Sequence, residues 1–201
     1  MLGGQLIDPR VGRDVLVGVA VGSMMALPIV SYGLIQPLLG QPPAELRATN
    51  LQMLLGAPSA LGAVLRMIPN NIQNAMFVAV AFGFGRALTR TLWGGALAAG
   101  LLLGILVMGD MSGASFLVSV VFIALFVIPL VGTLVYFGLL AIVVAFLCNQ
   151  ALNNAPLTLD LSMPFAPATL WSLLLVAGLT AFGFYTSRGG QPLFGRLAEG
   201  D

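Results

Sequence analysis

Residues Phe116 to Cys148, "FLVSVVFIALFVIPLVGTLVYFGLLAIVVAFLC", form a run of 33 residues without one charged side chain. As a single helix this run would be about 50 Å long, against a bilayer hydrocarbon core of about 30 Å. It is therefore either one steeply tilted helix or two spans folded at a tight turn. Pro129, Gly132, Thr133 and Gly138 supply turn and kink chemistry near its middle. The run is too long for a soluble core, and the rest of the chain agrees with it. Of the 201 residues, 59% are hydrophobic and 7% charged, whereas a soluble domain carries about 25% charged residues. The expected fold class is an all-α integral membrane protein, a polytopic bundle of about six transmembrane helices.

Hydropathy places the spans at about 14–36, 71–88, 91–108, 115–132, 135–152 and 166–185, with a collar at 1–13 and a tail at 187–201. Asp14 is the expected N-cap of the first span. Residues 37–58 read as a loop in which "GQPPAEL" could start a short interfacial helix ending near Leu55. Ser59 to Ile68 reads as a bent lead-in broken at Pro69. The N-terminus is not a signal peptide, because its apolar segment is long enough to span and lacks a small-residue cleavage site.

Charge chooses between five spans and six, since basic residues in short loops favour the cytoplasm. With two spans in the long run, Arg10, Arg13, Arg86, Arg90, Arg188 and Arg196 share one side, and Glu45, Asp110 and Asp160 share the other. Only Arg47 is then misplaced. Six spans with both termini cytoplasmic is the better reading. The segment "DPRVGRD" becomes the cytoplasmic collar of the first span.

Several function classes are excluded by what the chain lacks. There is no His, hence no His-based proton relay and no His metal ligand. No Lys is present either, so the lysine of a phosphate-binding loop cannot be supplied. The eight arginines form no basic tract of the kind nucleic acid requires. Intramembrane proteolysis lacks both a Ser–His pair and a carboxylate pair at membrane depth. The single cysteine, Cys148, reads as a small buried hydrophobe. No catalytic residue, cofactor site or metal site is expected.

Two motifs stand out. Gly18-x-x-x-Gly22 and Gly100-x-x-x-Gly104 make flat strips on which backbones approach closely, read as packing within the chain in preference to a dimer face. The stretch Arg66, Asn70, Asn71, Gln73, Asn74 is the most polar near any span. Were the helix to continue through Pro69, Arg66, Asn70 and Asn74 would share a face and could line a cavity or bind a headgroup or ion. The blander alternative, a helix broken at Pro69 with these side chains in interfacial water, is favoured here. If the stripe were buried, Asp110 or Asp160 would be the natural partner of Arg66.

Four segments read together carry a resemblance: "DPRVGRDVLVG", "YFGLLAIVVAF", "PLTLDLS" and "FGFYTSRGGQPLFG". In this order, from about Asp8 to Gly195, they resemble the C-terminal multi-pass membrane region of bacterial eukaryotic-like serine/threonine protein kinases. The family pattern carries a basic residue where this chain has Tyr136, which weakens the turn expected there. The resemblance implies an upstream cytoplasmic kinase domain, whose motifs are absent here, so no catalytic residue transfers. A chain starting just before "DPRVGRD" then looks like a truncated or separately started version of a longer protein. The expectation is a non-catalytic module of the bacterial inner membrane that anchors a kinase, with sensing or homodimerisation as further roles. Its partners would be the lipid bilayer and the kinase, not nucleic acid. The rival expectations are a small transporter or channel subunit and a free-standing structural membrane protein.

Overall fold

The computed structural model describes residues 8–35, 56–109, 116–154 and 166–189. The proposed interfacial helix before Leu55, together with Glu45, Asp110, Asp160 and Arg196, lies outside them. The described residues form six helices and no strand: α1 (Pro9–Ile35), α2 (Ala57–Thr89), α3 (Leu92–Gly109), α4 (Phe116–Phe137), α5 (Leu139–Asn154) and α6 (Ala166–Ser187). The fold is all-helical. Among these residues one helix, Ala166–Ser187, is long and apolar enough to cross a membrane, and Leu92–Leu106, Ile123–Phe137 and Leu139–Asn154 are shorter apolar helices.

The start of α1 differs from expectation. Asp8, not Asp14, is the cap: its Oδ1 accepts the Arg10 backbone N–H at 2.9 Å and its carbonyl accepts that of Val11 at 2.9 Å. Pro9 follows at the first helical position, where its missing N–H is harmless. Asp14 instead lies inside the helix and pairs with Arg13 at 3.0 Å.

Helix α1 is the axis of the bundle, packing against α4, α5 and α6. Its glycines let it approach. A Cβ on Gly18 would lie 2.6 Å from the Ala141 carbonyl oxygen and 2.7 Å from Val144 Cβ. One on Gly22 would collide with the Ala145 carbonyl and sit 2.9 Å from Cys148 Cβ. The pairing runs in the same direction along both helices, so α1 and α5 are parallel. On another side of α1, Gly12 meets Gly183 and Thr186, making α1 and α6 antiparallel. Val15, Val19, Val144 and Cys148 close the apolar centre of this three-helix core, with Val176 and Leu179 packed on it.

The long apolar run is divided at Gly138, later than the 132–135 division expected from hydropathy. Gly138 has φ +86°, a left-handed conformation that glycine takes without a steric penalty. Pro129, Gly132 and Thr133 stay within α4, and the Thr133 hydroxyl donates to the Pro129 carbonyl at 2.7 Å. Arg13 lies over the Phe137 ring, and Met25 shares a groove with Leu125, Ile128 and Pro129. Helix α4 is therefore antiparallel to α1 and α5 parallel to it. The chain reverses at one glycine.

Helix α2 corrects the expected break at Pro69, because it runs unbroken for 33 residues through that proline. Pro69 sits on the exposed side, while Ala60, Ala63, Val64, Met67, Asn71, Ala75 and Val78 continue a single buried face across it. Burial of that face outweighs the backbone hydrogen bond that proline removes. Helix α3 folds back on α2 and meets α4 through the second glycine pair. There an added Cβ would be 3.4 Å from Val127 at Gly100 and 3.6 Å from Ile123 at Gly104, ordinary contact distances. A central cluster, including Met25, Val78, Leu103, Leu130 and Ile142, joins the hairpins.

The two kinds of glycine contact predict different outcomes. Gly22→Val should destabilise the bundle by about 1–3 kcal/mol through overpacking. Gly132→Ala, where an added Cβ meets nothing within 4 Å, should be neutral or stabilising by up to about 1 kcal/mol. Maleimide labelling of Cys148, fully buried, during thermal unfolding in detergent reads both.

Candidate functional site

Continuity of α2 through Pro69 puts the predicted polar stripe on one helix, with Arg66, Asn70 and Asn74 four residues apart along it and Asn71 turned to its buried side. Arg66, Asn70 and Gln73 are exposed and Asn74 is half-buried, whereas Asn71 points inward and is buried. Among the described residues Arg66 has no acidic partner. The stripe thus divides into an outer polar edge and one inward carboxamide.

Asn71 leads to a cluster that sequence reasoning missed. Its Nδ2 donates to the Met67 carbonyl at 2.8 Å and also to Gln150 Oε1 on α5. One residue earlier Asn149 is buried, and its carbonyl and Oδ1 accept from Asn153 Nδ2 at 2.9 and 2.6 Å. Asn153 Oδ1, and the fully buried Ser172 Oγ on α6, find no hydrogen-bond partner among the described residues. The end of α5, "CNQALNN", therefore gathers carboxamides, of which Gln150 meets α2 while Asn149 and Asn153 bond to each other along the helix. The i, i+4 spacing of Asn149 and Asn153 is the signal the sequence carries for this cluster. Neutral amides set helix register and can hold water or a polar ligand; they supply no acid–base chemistry near neutral pH.

The opposite end of the bundle carries the basic residues. Arg13 lies 5.5 Å from the Phe137 ring centroid, Arg188 lies 5.8 Å from that of Phe184, and Gly189 approaches Pro9. Helix α2 is antiparallel to α5, since Asn71 meets Gln150 while the later Ala75 and Val78 join the earlier Ile142 and Ala145. Arg86 and Arg90 accordingly fall at the same end as Arg10, Arg13 and Arg188. The five sequence-predicted arginines within the described residues thus converge.

Three aromatic side chains lie at that end, Tyr136 at the turn and two, Trp93 and Tyr185, to which no sequence motif points. Trp93, Tyr136 and Tyr185 are 78%, 79% and 73% exposed on α3, α4 and α6. Trp93 is three residues after Arg90, and Tyr185 three before Arg188. Between this end and the outer polar edge of α2, large apolar side chains are exposed, with Leu97, Leu101, Ile105 and Ile128 among them. Exposed amphipathic aromatics beside arginines and next to apolar surface are features of places where proteins meet a bilayer boundary.

The chain matches no family model, no curated protein and no solved structure.

The division of the stripe is testable. Asn71→Ala strands the Gln150 carboxamide and should cost about 1 kcal/mol. Arg66→Ala, on the outer edge, should stay within about 0.5 kcal/mol of the parent. Thermal unfolding of the purified variants in one detergent makes the comparison.

Proposed function

We propose that the chain is a non-catalytic integral membrane module, a helical bundle that crosses the bacterial inner membrane and holds an attached domain at its arginine-bearing end. The observation that carries this reading is the coincidence at one end of five arginines, three exposed aromatics and both described chain ends, Asp8 and Gly189. Under the positive-inside rule that end is cytoplasmic. Along α2, Arg66 and Arg86 are twenty residues apart, about 30 Å of helix and one hydrocarbon thickness. They mark the two boundaries of the bilayer on this reading.

A domain attached through "DPRVGRD" would connect to α1, the helix on which α4, α5 and α6 pack. Anchoring needs only that rigid attachment. The sequence resemblance supports a serine/threonine kinase as the attached domain.

One observation favours the rival reading of a small transporter or channel subunit. Asn71 lies fifteen residues before Arg86, about 22 Å below the arginine end, so its cluster with Gln150 would lie within hydrocarbon depth. Polar groups there often mark a substrate path.

Two assays on the full chain separate these readings. Anchoring predicts that the protein resists alkaline extraction from membranes and that reporters fused at both termini report the cytoplasm. Release by alkali, or reporters on opposite sides, refutes it. Solute flux through reconstituted vesicles, abolished by Asn71→Ala, would establish the rival instead.

A further inference from the structure

The arginine end is not uniform in charge. Its α1 portion, "DPRVGRD", is self-neutralised, with two arginines and two aspartates. Asp14 holds Arg13, and Asp8 caps the helix. The corner between α2 and α3 is different. From Gly56 to Gly109 there is no acidic residue, and Arg66, Arg86 and Arg90 are the only charges. Arg86 and Arg90 are both exposed, one helical turn apart, with no carboxylate partner among the described residues.

The corner is also built. Arg90 occupies the left-handed region, φ 56° and ψ 20°, the one non-glycine residue with positive φ among the described residues. Glycine would close α2 there with less strain, so the local geometry favours a residue that the chain does not use. Hydroxyls on either side hold the turn. Thr89 Oγ1 donates to the Gly85 carbonyl at 2.8 Å, and Thr91 Oγ1 accepts the Gly94 backbone N–H at 3.0 Å to cap α3. The backbone that carries both arginines is thereby hydrogen-bonded on either side of the turn. Beside them Trp93, Leu88 and Leu97 are exposed.

We propose that the α2–α3 corner binds the headgroup of an anionic phospholipid, with Arg86 and Arg90 as its phosphate ligands and Trp93 seated at the interface beside them. Guanidinium groups pair with phosphate oxygens through two parallel N–H bonds. The unneutralised charge selects an anion, and the exposed apolar side chains around it select one carrying acyl chains over a free phosphate. The proposal rests on the reading of the bundle as membrane-spanning. It makes the corner, and not the "DPRVGRD" collar, the origin of lipid selectivity.

The test uses the full chain in nanodiscs of phosphatidylcholine with a graded fraction of phosphatidylglycerol, and native mass spectrometry of the lipids retained. The parent should retain phosphatidylglycerol preferentially. The R86Q/R90Q variant should lose that preference by roughly fivefold per arginine, whereas R10Q/R13Q should keep it and R86K/R90K should keep part of it. R90G gives a second test of opposite sign. It should raise the melting temperature in pure phosphatidylcholine, by relieving the backbone, while lowering phosphatidylglycerol retention. Millimolar inorganic phosphate should not compete; if it does, the corner is a free-phosphate site and the lipid assignment is overturned. Equal retention by the parent, R86Q/R90Q and R90G overturns the proposal, as does an equal loss in R10Q/R13Q. Failure of the parent to enter nanodiscs overturns the membrane reading and this proposal together. Entry without lipid preference overturns this proposal alone.

Discussion

Close backbone contact along α1 is the interaction on which the rest of the bundle depends. Gly18 and Gly22 bring α1 against Ala141, Val144 and Ala145 of α5, and Gly12 brings it against Gly183 and Thr186 of α6. Where the surroundings are as apolar as the side chains, hydrophobic burial no longer distinguishes packed helices from separated ones. Van der Waals contact between small residues then becomes the main source of association. The approach is close enough to leave Cys148 and Ala145 fully buried beside a helix surface that carries no side chain. Larger residues at these positions would separate α1 from α5 and with it the hairpin that α4 and α5 share.

That packing fixes the direction of every other helix. Because α5 is parallel to α1 and α4 antiparallel to it, the reversal at Gly138 brings Tyr136 and Phe137 to the level of Arg13. Antiparallel packing of α2 on α5 delivers Arg86 and Arg90 to the same end, and α6 returns Arg188 there. The clustering of arginines is thus a consequence of helix direction. Residues scattered from Arg10 to Arg188 come to one end, while the carboxamides of Asn71, Asn149, Gln150 and Asn153 collect toward the other half of the described bundle.

Much of this was readable from local chemistry. Charge scarcity and long apolar runs foretell helices, glycines four apart foretell close contacts, and arginine spacing gives the end at which they meet. Pro69 shows where local chemistry stops. The proline rule predicts a break, but seven inward-facing residues from Ala60 to Val78 span it, and a continuous buried face is a tertiary property. Gly138 was visible as a candidate turn, although hydropathy is nearly flat from Phe116 to Leu147 and could not choose it over Gly132. The partnership of Asn71 with Gln150 joins residues 79 apart, and no single-sequence periodicity reports such a pair. Arg90 in a glycine-like conformation is likewise a property of the turn.

The proposed function requires the arginine–aromatic end to lie at a bilayer boundary and the exposed apolar side chains in hydrocarbon. Trp93 reports it directly once the second tryptophan is removed by Trp171→Phe. Its fluorescence would be measured in vesicles whose acyl chains carry bromine at graded depths. A bilayer boundary at this end predicts strongest quenching by the shallowest bromines, with weak quenching by aqueous iodide. Strong iodide quenching with no response to bromine at any depth would place Trp93 in water, away from any bilayer boundary.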